Sequence, residues 1–471
     1  MVTAEKSRID CRHIDVLDGI RAVSVIIVLI FHFWQQTWIF PVIKTPWLAF
    51  VGITKIDFSN FATVGYLFVD MMVLISGFLL FLPLMRSIIL GEEMSSWKNY
   101  ARRRIARIVP SYYFAVLLLF FASALPTGAY ATTADALKDL FAHLTFTQTL
   151  WVNTYIATPL DVVLWTVAIE VWFYVLFPFV AEFIKGPRNK SINIICAFIF
   201  AVFNIINYVY TENFVLKGNV YLAMRINQFP AFLGVYSIGM LGASAFVLIA
   251  KNCRRSRIFN AVNTLFSVCS ILLIVYLIND CVATQERQVW QVTERSKLAF
   301  VFMTFIITTA LSSKWYRWLF SNKFMRFLSG ISYNLYIWHQ WLAVQCKNTW
   351  RIPKWSGEIP PNMLNITYWM NRYAVVITVF AFAAAILATY LIEKPFANLI
   401  MGRPVFPLFA KKHLKTANSA DEECINEEES APLSAEVDSF ADTVDSDEPT
   451  EDAAANPWGE QETDRNDSDC D

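Results

Sequence analysis

The chain has 471 residues, of which 56% are hydrophobic, 17% charged and 15% aromatic. The apolar share lies above and the charged share below what a soluble domain carries, which excludes a soluble globular fold. The formal charge of zero hides an asymmetry: residues 421–471 hold 20 of the 39 acidic residues and one of the 39 basic ones, so the preceding 420 carry 38 basic against 19 acidic.

The apolar residues fall in blocks about 20 long, enough to cross a bilayer at about 1.5 Å per residue. Ten such blocks are expected as spans: 20–40, 64–85, 109–126, 162–184, 191–210, 220–250, 258–278, 297–313, 328–346 and 373–392. The expected fold is all-α, a polytopic membrane helical bundle of about ten transmembrane helices over residues 1–410, followed by a disordered acidic cytosolic tail over 411–471. The first block is spanning length without a small-residue cleavage site after it, so it is expected to stay in place as a helix.

That first block reads "LDGIRAVSVIIVLIFHFW", Leu17 to Trp34, and carries Arg21 near its start and His32 deep inside. Eleven residues at about 100° each make three turns plus about 20°, so both side chains share one face, about 16 Å apart along the axis. Asp18 lies fourteen positions before His32, on nearly the same face. Arginine snorkelling and a helix-bridging histidine are the structural alternatives.

The second block, "GYLFVDMMVLISGFLLFL", places Asp70 a few residues inside its outer-side end, where the stretch begins, and Ser76 deeper. Between it and the third block, "WKNYARRRIARIVPSYY" brings Arg103, Arg104 and Arg107 before Pro110. The positive-inside rule explains them, and forked contacts to phosphate would use them too. In the fourth block, "LWTVAIEVWFYVLFP", Glu170 is flanked by Trp165, Trp172 and Tyr174. Glu170 is expected about 13 Å inside its span and His32 about 20 Å from the start of its own, so His32, Asp70 and Glu170 share overlapping depths. Two acids and a histidine at one depth point to proton handling, and buried pairing with arginine is the alternative.

The sixth block contains Pro230, Gly234 and Gly239, which predict a kink or break. The ninth, "ISYNLYIWHQWL", adds Ser332, Tyr333, Tyr336 and His339, the last a rival base or substrate contact. Lys and Arg follow every even-numbered block, which predicts a multi-pass cell-membrane protein with both termini cytosolic. The eight cysteines show no metal-ligand spacing, and Cys281 and Cys346 are the pair able to meet on the outer side. No metal and no nucleic-acid partner are expected.

With these residues placed, the chain resembles the acyltransferase-3 family of integral membrane O-acyltransferases. Five ordered motifs carry the likeness: "LDGIRAVSVIIVLIFH", "VDMMVLISGFLL", "ARRRIARIVP", "LWTVAIEVWFYVLFP" and "ISYNLYIWHQ", with "LIEKPF" after the tenth block as a closing element. Met72 and Val73 stand where members commonly have two phenylalanines, and Glu170 stands alone where a pair of acids is usual. The resemblance implies transfer of an acyl group, usually acetyl, from cytosolic acyl-CoA to a hydroxyl of a carbohydrate or other acceptor at the outer face. The acyl-CoA is then a donor substrate, and no tightly bound cofactor is implied.

Arg21 and His32 match the family's arginine-to-histidine motif, and the basic segment is implied to engage CoA phosphates. The expected roles are therefore His32 as general base or acyl carrier, with Glu170 or Asp70 orienting it, and Arg21, Arg103, Arg104 and Arg107 as donor-binding groups. Asp18, Ser76, Tyr333 and His339 complete the candidates. A proton-coupled secondary transporter of a polar solute or polysaccharide precursor is the competing class, although no two-half repeat is visible by eye. A scaffold acting through its acidic tail is the third.

Overall fold

The computed structural model describes residues 9–12, 14–52, 54–185, 192–217 and 222–405, and the expected acidic tail 411–471 lies outside them. Among these residues eight helices are long and apolar enough to cross a membrane. They are α1 (Val16–Thr37), α2 (Ser59–Leu90), α3 (Trp97–Ala124), α5 (Val162–Lys185), α6 (Ile195–Val215), α8 (Phe229–Asn252), α9 (Arg257–Ala283) and, at the end, α14 (Thr367–Met401). The blocks expected at 297–313 and 328–346 are helical too, but they pass the same test only as a pair bent by 115°. This pair comprises α11 (Arg295–Leu311) and, beyond the bend, α12 (Lys314–Ser321) and α13 (Lys323–Asn348). Shorter helices include α4 (Thr133–Leu144), α7 (Leu222–Ile226) and α10 (Arg287–Thr293). The strands β1 (Val42–Lys44) and β2 (Lys55–Asp57) form one exposed antiparallel hairpin, with Ile43 opposite Ile56.

Burial divides the bundle into a centre and a rim. The apolar stretches of α1, α2 and α8 are mostly buried, whereas those of α6, α9 and α14 are mostly exposed, which suits helices facing lipid. Two glycines let α2 and α8 approach closely. A Cβ on Gly77 would lie 2.8 Å from the Tyr236 carbonyl oxygen, and one on Gly239 would lie 2.6 Å from that of Leu74. Small residues at such crossings are what dispersion-driven packing in a membrane requires.

The break foreseen around Pro230 separates α7 from α8, and its open carbonyls find side-chain donors. Asn207 Nδ2 donates to the carbonyls of Pro230 and Ala231 at 3.2 and 2.7 Å, and Arg295 Nη1 donates to those of Ile226 and Ala231 at 3.1 and 3.0 Å. Interrupted helices persist at membrane depth only when the freed backbone groups are satisfied in this way.

Helix α3 starts twelve residues before the expected 109. The Ser96 hydroxyl accepts the Asn99 N–H at 3.3 Å and caps it, and Pro110 lies inside the helix. The arginines therefore sit on ordered helical turns, their charges turned to a polar cleft. Cys281 and Cys346 are both free and buried, so the pairing left open for them is not made.

Candidate active site

The start of α1, the end of α2 and the start of α3 border a cleft of about 1260 Å³, its open mouth included, whose lining includes Arg12, Arg21, Arg86, Arg103, Arg104 and Arg107. Carboxylates offset part of that charge. Arg86 pairs with Glu92, whose other oxygen is 3.9 Å from Arg12, while Asp18 lies 4.0 Å from Arg21 and accepts a hydrogen bond from Ser329 at 3.1 Å. Arg103 donates to the Ser95 hydroxyl, and Arg104 lies over the rings of Tyr174 and Tyr100, 5.0 and 5.6 Å from their centroids. Arg107 makes no hydrogen bond or ion pair among the described residues.

A second space of about 670 Å³ opens deeper, between α1, α2, α3, α5 and α13. Arg21 and Arg107 line it as well, so the cleft and the chamber meet at these two guanidinium groups. The chamber wall joins apolar residues such as Val25, Met72, Val73 and Phe173 with polar ones, among them Ser76, Thr166, Glu170, Ser332 and Tyr333. Val69, Met72, Val73 and Ser76 follow the helical spacing that keeps one face of α2 toward it. Glu170 accepts a hydrogen bond from Ser76 at 3.0 Å and another from the Tyr174 hydroxyl. Tyr333 donates to the Ile108 carbonyl at 3.1 Å, tying α13 to α3.

Helix α1 runs unbroken from the basic cleft to His32. There the imidazole packs against that of His339 from α13, with ring centroids 5.0 Å apart. His339 is 1% exposed; its Nδ1 lies 2.7 Å from the Tyr336 carbonyl, and its Nε2 is buried without a protein partner. A carbonyl only accepts, so neutral His339 holds its hydrogen on Nδ1 and its lone pair on Nε2. His32 Nδ1 is 3.0 Å from Gln35 Oε1, and with that oxygen as acceptor His32 takes the same tautomer. Both rings therefore present Nε2 as a hydrogen-bond acceptor. Tyr336 links the two regions, because its side chain lines the chamber while its carbonyl holds His339.

The structure thus gathers Asp18, Arg21, Arg103, Arg104 and Arg107 at the cleft, Ser76, Glu170 and Tyr333 at the chamber, and His32 with His339 beyond. It corrects the expectation that Glu170 or Asp70 orients His32. Gln35 holds that ring, Glu170 is engaged by Ser76 and Tyr174, and Asp70 pairs with Arg295 at 3.2 Å. Gln35 was within reach of sequence reasoning, because a residue three positions after a helical histidine lies beside it. Arg295 offered no such signal, being 225 residues from its partner.

These features define a class: a multi-pass helical bundle with a basic mouth, an internal chamber and an imidazole pair beyond it. The chain belongs to the acyltransferase-3 family, whose acyltransferase domain matches residues 14–394. It is similar to a provisionally named O-acetyltransferase of Staphylococcus aureus (strain COL), 26% identical over 350 residues, which cover 70% of this chain and 50% of the relative. It is also similar to the O-acetyltransferase OatA of S. aureus (strain NCTC 8325 / PS 47), 28% identical over 195 residues, 38% of this chain and 27% of the relative. A provisionally named acetyltransferase of Acidianus two-tailed virus is 24% identical over 252 residues, 52% of this chain and 65% of the relative. The chain spans about half the length of the S. aureus strain COL relative. No solved structure matches it.

Proposed function

We propose that the protein is a cell-membrane O-acyltransferase that moves an acyl group, acetyl in the simplest case, from cytosolic acyl-CoA to a hydroxyl of a carbohydrate at the outer face. The observation that carries this reading is the junction of the basic cleft and the chamber at Arg21 and Arg107, with Arg21, Val25 and His32 following one face of α1 from that junction to the imidazole pair. The basic cleft opens to the cytosol, where positive-inside topology puts it, and both termini lie on that side. The donor's phosphates bind Arg103, Arg104 and Arg107 in the cleft, its thin neutral arm passes Arg21, and Glu170 is available to accept an amide N–H of that arm. The thioester then reaches His32.

In the transfer, the acceptor hydroxyl oxygen attacks the thioester carbonyl carbon while His32 Nε2 takes the hydroxyl proton. A C–O bond forms, the C–S bond breaks, and the departing thiolate recovers the proton from His32. The products are an ester and free CoA thiol. The tautomer fixed by Gln35 suits this task, because the basic nitrogen is the one left unbonded.

The test is consumption of acetyl-CoA by purified protein given glycan acceptors. His32→Ala is expected to lower kcat by about 10²–10⁴-fold, the usual worth of a general base, while Arg21→Ala raises KM for the donor. Full activity in a folded His32→Ala protein overturns the assignment of the base. Proton-coupled solute uptake into liposomes without CoA turnover overturns the reading in favour of a transporter.

A further inference from the structure

His32 alone accounts for the proposed proton transfer, which leaves the buried Nε2 of His339 unexplained. A buried polar atom without a partner is costly, so it calls for an explanation, and at a reactive site a ligand group supplies one. His339 belongs to the same layer as His32, since the two rings are in contact. Both rings have their Nδ1 occupied by an oxygen acceptor, so the pair offers two lone pairs and no free N–H. The matching ligand must bring two hydrogen-bond donors. A thioester has none at its reacting end, whereas a polyol has a hydroxyl on each neighbouring carbon.

We infer that His339 Nε2 binds a second hydroxyl of the acceptor, adjacent to the one that reacts at His32, and so makes the protein selective for vicinal diols. This rests on the acyl-transfer reading above and names the acceptor class of that same site. His339 is thus a positioning residue for the acceptor, its ring in contact with that of His32 at 5.0 Å between centroids, close enough for both to meet one ligand.

The experiment compares a methyl glycoside bearing a vicinal diol with its monodeoxy counterpart, using the full chain in nanodiscs. Transfer from acetyl-CoA gives kcat/KM for each, and thermal stabilisation by each glycoside without donor gives binding. Wild type is expected to favour the diol by about tenfold or more, as sites that bond a substrate hydroxyl do. His339→Asn keeps an amide N–H for the Tyr336 carbonyl but lacks the distal nitrogen. It is expected to raise KM for the diol and bring the preference to within about twofold. His339→Gln, which carries an oxygen further out, is expected to restore part of it.

An unchanged preference in folded His339→Asn, or an equal loss on both glycosides, overturns the inference. Transfer without diol preference in wild type overturns it too, and supports the acyl-transfer reading. Stabilisation by the diol that His339→Asn abolishes, with no transfer to either glycoside, supports the contact and overturns acyl transfer. Neither transfer nor stabilisation overturns both.

Discussion

Asp70 and Arg295 show how much one residue's meaning depends on a partner. Both are almost wholly buried, at 0% and 2% exposure, and Arg295 also lies over the Phe232 ring while bonding the carbonyls opened by the helix break. An ion pair taken out of water contributes little net stability, but removing one member strands the other. Asp70→Asn and Arg295→Met are each expected to cost about 3–5 kcal/mol, and the double variant Asp70→Asn/Arg295→Met less than their sum. Unfolding in detergent measures all three, and additive losses would show that the pair does not act as a unit. The sequence made Asp70 conspicuous, because an acid in an apolar block stands out, but its depth alone suggested a part in catalysis. Its actual partner depends on how the broken helix folds back, which no local pattern encodes.

At the level of elements, glycine positions separate close packing from mere tolerance. Gly239 faces the α2 backbone, so Gly239→Ala is expected to cost about 1–3 kcal/mol through overpacking and to lower the folded yield. Gly330 in α13 has nothing within 4 Å of where a Cβ would stand, so Gly330→Ala is expected to be neutral or stabilising by up to about 1 kcal/mol. Melting temperatures of the two variants decide this; equal shifts would refute the packing argument. Hydropathy located the apolar blocks well, because burial in lipid and burial in protein select the same side chains. It misjudged where α3 begins and how α11 and α13 relate. The start of α3 is polar on a helix that borders a cleft, and the 115° bend depends on the short α12 docking against α1, where Gly19 lets the Phe320 backbone in. The candidate site was legible to the same extent: its residues within α1 follow from spacing along one helix, whereas its contacts between helices do not.

Across the whole molecule, charge is segregated, with a basic body joined to an acidic end. The cleft concentrates that basic character around Arg103, Arg104 and Arg107. On the proposed reading, attraction of a polyanionic donor to this mouth weakens as salt screens it, with a Debye length of about 10 Å at 0.1 M. KM for acetyl-CoA is therefore expected to rise with ionic strength, and Arg104→Gln/Arg107→Gln to raise KM at low salt and flatten the dependence. Steady-state kinetics between low and high salt check this, and a KM indifferent to salt in wild type would remove the cleft from donor binding.

The meeting of cleft and chamber at Arg21 and Arg107 has a consequence for measurement of length. On the proposed reading, a bulky anion halts at these two guanidinium groups, while a slender neutral extension continues inward. The reacting carbon is then placed by how far it trails behind the halted charge. The stiff α1 rod fixes that distance at about 16 Å, eleven residues of regular rise. On that reading the same membrane-spanning helix serves as a ruler, and molecules that carry an acyl group closer to their charge fall short of His32.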